Sequence, residues 1–356
     1  MSKDIHTLHR EALDILSALI RIPSFSKEED QTTAYLAKFL ESKNVEVTTV
    51  RNNVLALNKH FDAAKPTILL NSHHDTVKPN NAYTKDPFVA EISDEKLFGL
   101  GSNDAGGCLV SLLETFLYFF EREDMNYNLV FAATAEEEIS GANGIQLALE
   151  HLPKIDFAIV GEPTLLQMAV AERGLMVLDC RATGKAGHAA RDEGENAIYK
   201  AVKDIEWFQG YRFPNVSALL GPVKTSVTVI ETENKTHNIV PAECKFVVDV
   251  RVNELYTMDE VLSIVRENVQ CEAVPRSTRL KSSMISLEHP LVKAGLVLGK
   301  SYYGSPTTSD KALIPFPALK IGPGDSARSH TADEFIYVKE IEEGIRFYIN
   351  LLQQLL

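Results

Sequence analysis

Side chains able to share a divalent cation recur in this chain at the ends of apolar runs. Ile68 to Asn71 leads into Ser72-His73-His74-Asp75, and Leu129 to Thr134 leads into Ala135-Glu136-Glu137-Glu138. Phe157 to Val160 leads into Gly161-Glu162-Pro163, and Ala318 to Gly322 leads into Pro323-Gly324-Asp325, with His330 shortly beyond. Asp104 lies in the glycine-rich stretch 99–107, GLGSNDAGG, which predicts a tight turn opening a helix. Two divalent cations about 3.5–4 Å apart need a bridging carboxylate, terminal nitrogen or oxygen ligands and an open position for water. His73, Asp104, Glu138, Glu162 and His330 would supply two imidazoles and three carboxylates, with no thiolate required. That donor set favours zinc, with cobalt or manganese as replacements.

Each piece also has an ordinary reading. His-His-Asp occurs in solvated loops, and a run of glutamates suits the positive first turn of a helix. Gly-Glu-Pro is a common turn, and Asp104 could be an N-cap. The pieces gain meaning from their shared place, because ligands of open α/β sheets sit beyond the carboxyl ends of the strands.

The elements that must hold them follow from periodicity. Leu8, Ala12, Leu13, Leu16, Leu19 and Ile20 recur at helical spacing until Ile22-Pro23, and a second amphipathic helix is predicted around 28–43. Continuous apolar strands at 67–70, 128–134 and 156–160, with a helix near 105–121, indicate an α/β domain whose mostly parallel sheet is sandwiched by helices. Near residue 174 the pattern changes. A strand at 176–184, a helix at 195–209, strands at 223–231 and 243–251 and a helix at 258–269 would make a ferredoxin-like α+β unit, closed by a strand near 277–286. A helix near 290–300, a strand at 317–322 and a last helix near 338–355 return to the first style. The expected organisation is a catalytic domain of residues 1–173 and 279–356, with 174–278 inserted as a second domain.

Composition narrows the function. The 356 residues are 45% hydrophobic and carry a net charge of −13, a field that repels phosphate backbones and excludes nucleic acid as an expected partner. An anionic substrate would need a few locally placed arginines. The first residues are charged and lack a signal-peptide core, no apolar run approaches about 18 residues, and the four cysteines are scattered, so the expected location is the cytoplasm, away from any membrane.

His73-His74-Asp75, Asp104 in NDAGG, the glutamates of AEEEISG, GEPT at 161–164 and Ser329-His330-Thr331 together resemble the metallopeptidase family of acetylornithine deacetylase, succinyl-diaminopimelate desuccinylase, aminoacylase and glutamate carboxypeptidase. The resemblance spans essentially the whole chain. It implies that His73 and His330 each cap one metal, Asp104 bridges, Glu138 binds one cation and Glu162 the other. Asp75 would orient the His73 imidazole and Glu137 would be the general base. Two registers stay open: Glu136 as base with Glu137 as ligand, and His74 in place of His73. The inserted unit resembles the family's lid or dimerisation domain, implying a homodimer in which His188, in Gly184-Lys185-Ala186-Gly187-His188, steadies the oxyanion of the neighbouring active site. Asn238 and Arg251 match substrate-contacting positions, Arg251 facing an α-carboxylate or else paired with Asp249 or Glu254. Arg173, Arg191, Arg279 and Arg328 are candidates for a further carboxylate. The GLGSNDAGG and GDSARSHTADEF stretches are most similar to the acetylornithine deacetylase branch of arginine biosynthesis, implying a small N-acyl amino acid as substrate. N-acetylornithine comes first, then N-acetylcitrulline and N-succinylornithine. The competing expectations are a dipeptidase, carboxypeptidase or desuccinylase with the same centre, or an inert binding relative.

Overall fold

The computed structural model describes residues 4–355. They divide into two compact units: Met1–Val170, Ile285–Tyr303 and Ser309–Leu356 in one, Ala171–Met284 and Gly304–Thr308 in the other. Return of the short segment Gly304–Thr308 to the second unit is a connection that periodicity does not reveal.

The first unit is an α/β domain. Its four central strands, Asn128–Thr134, Thr67–His73, Phe157–Val160 and Ala318–Lys320, lie side by side in that order and run parallel. The hairpin Val47–Val50 and Asn53–Leu57 adds antiparallel strands at one side. Both central strands Thr67–His73 and Asn128–Thr134 are buried along their full length, which explains their unbroken apolar runs. Their side chains alternate between two layers. Leu69, Val130 and Ala132 pack with Ile145 and Ala148 of the helix Ile145–Glu150. Phe131 faces the other way, its ring 5.9 Å from that of Phe116 on the helix Gly107–Phe119. That helix is buried on nearly every side, so Ser111 and Thr115 turn their hydroxyls back to Gly107 O and Ser111 O.

Three short strands were not expected. The strands Glu91–Ser93, Lys96–Phe98 and Phe335–Tyr337 form a separate three-stranded sheet. Because Phe335 follows His330 by five residues, this sheet fixes the chain just beyond a candidate ligand.

The second unit holds a four-stranded antiparallel sheet in the order Lys224–Glu231, Glu243–Val252, Gly174–Thr183, Glu272–Pro275. The helices Ala197–Gly210 and Met258–Asn268 complete a β-α-β-β-α-β order. The closing strand differs from expectation. Glu272–Pro275 pairs with Gly174–Thr183, whereas Ser283–Met284 pairs with Glu172 and Ala171. The β-like composition near 283 is genuine, but it serves another strand.

Candidate metal centre

The carboxyl ends of the parallel strands bring the candidate residues together. His73 is the last residue of its strand and 1% exposed. Its Nδ1 lies 2.9 Å from Asp75 O and 3.4 Å from Asp75 Oδ1, which leaves Nε2 aimed outward. Nε2 is 3.4 Å from Asp104 Oδ1, 3.9 Å from Glu162 Oε1 and 4.0 Å from Glu137 Oε2. On the other side, His330 Nε2 stands 3.0 Å from Glu138 Oε2 and 3.6 Å from Asp104 Oδ2. One oxygen of Asp104 thus faces each imidazole. Donor atoms of His73, Asp104 and Glu138 lie within 4.8 Å of one another, as do those of His73, Glu137 and Glu162.

Whether these residues fit cations is tested by one atom. His73 Nε2 is fully buried yet makes no hydrogen bond. A buried polar nitrogen without a partner costs roughly 1–3 kcal/mol, whereas surrounded by carboxylates it is a ready ligand. The donor set is nitrogen and oxygen throughout, in keeping with a borderline divalent ion. The residues fit.

The glutamate run is sorted by its backbone. Glu136 has φ +55°, a left-handed conformation uncommon outside glycine, and this turns its carboxylate toward Asn143, whose Nδ2 donates to Oε1 at 2.8 Å. Glu137 and Glu138 then open a short 3-10 turn, and their N–H groups donate to Asp75 Oδ1 at 3.0 Å and Oδ2 at 3.2 Å. Asp75 therefore holds both the His73 ring and the turn carrying two glutamates. His74 is placed elsewhere, its ring between Thr32 Oγ1 and Asn52 O.

Electrostatics follow from the crowding. Burial, with Glu162, Asp310 and Glu138 nearby, pushes the Glu137 carboxyl well above its ordinary range, against the pull of His73. For the His73 ring burial opposes charge, yet Asp104, Asp75, Glu137 and Glu162 raise its pKa well above the usual value. Burial also opposes ionisation of Asp75 and Asp104, but the adjacent His73 imidazole holds both below the usual carboxylate range. His330 is raised to about 9 by its bond to Glu138.

Three buried carboxylates at this edge have no signal in the sequence reading. Glu334 accepts from three main-chain N–H groups around Asp104 and is raised to about 8, chiefly by burial. Glu29 accepts from Lys27 N, Asn52 Nδ2 and Glu136 N. Asp310 accepts from Thr134 Oγ1 at 2.7 Å, and burial lifts it to about 6.

These shifts set a pH dependence. Glu334 and His330 both have folded pKa values above their ordinary values of 4.5 and 6.5, so each favours the folded chain at low pH. That contribution is lost as pH rises through about 8 for Glu334 and about 9 for His330. Metal-free protein should accordingly melt several degrees lower at pH 9.5 than at pH 7, on the order of 5 °C. Scanning calorimetry after chelation checks this. A melting point that rises across that window contradicts it.

Most of the remaining candidates lie in the second unit. Ala189 N donates to Asn238 O at 2.9 Å, and His188 pairs with Ile239, so exposed His188 and Asn238 share one tip. Arg251 makes a two-point bond to Asp249, at 2.8 and 3.0 Å, which is the ion-pair alternative foreseen for it. Arg173 donates through Nε and Nη2 to Leu220 O and so braces a turn. In the first unit, Arg328 is bound to both oxygens of Glu340. Both Arg173 and Arg328 are thereby engaged with the chain itself.

Two imidazoles on either side of one carboxylate, beyond the ends of an α/β sheet, are an arrangement suited to a metallohydrolase. The chain belongs to peptidase family M20/M25/M40, whose sequence profile matches residues 69–354. It is 24% identical over 372 residues to a succinyl-diaminopimelate desuccinylase of Orientia tsutsugamushi, covering 96% of this chain and 95% of that one. It is 26% identical over 371 residues to an acetylornithine deacetylase of Buchnera aphidicola, covering 95% and 97%. Among solved structures, an M20 metallo-carboxypeptidase of Sulfolobus solfataricus superposes with a TM-score of 0.77 at 18% identity, over 97% of this chain and 99% of that one. A dinuclear metal-binding M20 peptidase of Bacillus subtilis gives 0.71 at 16%, over 98% of each. No helix among the described residues is long and apolar enough to cross a membrane.

Proposed function

We propose that this chain is a two-metal amidohydrolase that releases an acyl group from the nitrogen of a small amino acid, with N-acetylornithine as its substrate and N-acetylcitrulline and N-succinylornithine as its nearest competitors. One observation carries the two-metal reading: Asp104 offers one oxygen to the side of His73 and the other to the side of His330. The distances favour Asp104, His73 and Glu162 around one cation, and Asp104, His330 and Glu138 around the other. Zinc suits these donors best.

When bound, such cations lower the pKa of water toward ~7 and polarise an acyl carbonyl. Glu137 then takes the proton of the attacking water and delivers it to the departing amine nitrogen. Its carboxylate lies 4.0 Å from His73 Nε2, beside the cluster where that transfer would begin. Asp75 keeps the His73 ring turned so that Nε2 faces the cluster. His188 stabilises the oxyanion from a second copy of the chain, and Asn238 beside it contacts the substrate. Arg251 binds the α-carboxylate through the guanidinium edge not engaged by Asp249.

The homodimer this requires is supported by the edge strand Lys224–Glu231, where Val229 and Ile230 are half exposed. A fully active monomer would remove the role given to His188. The cytoplasm is the proposed location.

A desuccinylase is the second reading, favoured by full-length similarity to such an enzyme. Initial rates on N-acetylornithine, N-acetylcitrulline, N-succinylornithine, N-succinyl-diaminopimelate and a dipeptide set decide between them. An acetyl substrate should lead in kcat/KM by roughly 100-fold, the scale on which a pocket discriminates related groups. A lead for the succinyl substrates moves the assignment to the desuccinylase, and a lead for dipeptides overturns both.

A further inference from the structure

We infer that Glu334 is a positioning residue that sets the bridging carboxylate by gripping the main chain from which it projects. Glu334 is 2% exposed. Its Oε1 accepts from Asn103 N at 2.8 Å and from Asp104 N at 2.9 Å, and its Oε2 accepts from Gly101 N at 3.2 Å. The Glu334 main-chain oxygen takes a fourth bond, from Gly99 N at 3.0 Å. The turn Ser102–Gly106 is not a regular helix, and Asp104 itself departs from helical angles. Glu334 holds the main chain of this irregular turn at Gly101, Asn103 and Asp104.

The same residue couples two ligand-bearing segments. Asn103 bonds both ways to Asp325, through Oδ1 to its N–H and through Nδ2 to its carbonyl. Residues 325–334 carry His330 between that contact and Glu334. Beside it, Asp333 accepts from Thr84 N at 2.8 Å and Lys85 N at 2.9 Å, and the strand Phe335–Tyr337 pairs with Lys96–Phe98. The Asp104 turn and the His330 loop are therefore cross-braced at both ends. A shift of either alters the gap that two cations must fit.

This inference rests on Asp104 being a ligand, and the test separates the two claims. Cobalt and zinc are titrated calorimetrically into metal-free wild-type, Glu334→Gln and Glu334→Ala proteins, and the melting temperature of each metal-free protein is recorded. Outer-shell partners of ligands typically change metal affinity by about 10–100-fold. Glu334→Gln retains an acceptor oxygen for two of the three N–H groups and should weaken binding of at least one cation by about tenfold. Glu334→Ala should weaken it by about 100-fold. Cobalt absorption should change in parallel, because ligand geometry changes. Wild-type affinity in both variants overturns the inference. So does loss of the fold in both, because the residue would then serve the whole domain. Wild-type protein that binds no pair of cations removes the metal reading itself, before any substitution is considered.

Discussion

Glu137→Gln should lower kcat by about a thousandfold while leaving two cations bound, a size within the usual range for a lost general acid–base group. Glutamine has nearly the shape of glutamate but can neither accept nor return the proton. Glu137 lies among the candidate ligands: its carboxylate is 4.0 Å from His73 Nε2, against 3.9 Å for Glu162 and 3.4 Å for Asp104, so metal stoichiometry rather than distance separates base from ligand. Metal stoichiometry and kcat measured on one preparation separate the two glutamate registers. A variant that loses a cation makes Glu137 a ligand, and a variant with near-normal turnover removes it from the chemistry.

Chelation should abolish turnover, and added zinc or cobalt should restore it. The physical reason is the charge density of the centre. Asp104, Glu137, Glu138 and Glu162 converge on two imidazoles in a site that excludes much of the solvent, so their mutual repulsion is weakly screened. Cations relieve that repulsion, so reloading should also raise the melting temperature, by on the order of 5 °C or more at metal concentrations well above Kd. Residual turnover in thoroughly chelated protein would show that the amide is cleaved without the centre.

Much of this candidate centre was readable because His73, Glu138 and Glu162 closely follow apolar runs. A parallel strand buried on both faces leaves an uninterrupted signal, and its carboxyl end marks where a ligand would sit, as Leu70 to His73 and Ile159 to Glu162 illustrate. The supporting carboxylates were not readable for an equally physical reason. Glu334 bonds to main-chain N–H groups of a distant loop, and Glu29 joins Asn52 Nδ2 to the main chain at Lys27 and Glu136; main-chain partners carry no residue-type signature. The placement of Glu136 depends on one left-handed φ that the repeated glutamates conceal. Three-residue strands such as Glu91–Ser93 and Phe335–Tyr337 are too short for a period to emerge. In the second unit, the closing strand expected near 277–286 is instead Glu272–Pro275, an edge strand, where its proline is tolerated.

Anomalous diffraction from a crystal of zinc-loaded protein tests the central claim most directly. Two peaks about 3.5–4 Å apart are expected. Asp104 should touch both, His73 and Glu162 one, and His330 and Glu138 the other, at roughly 2.0–2.2 Å. A single peak, or zinc bound away from these five side chains, would contradict it.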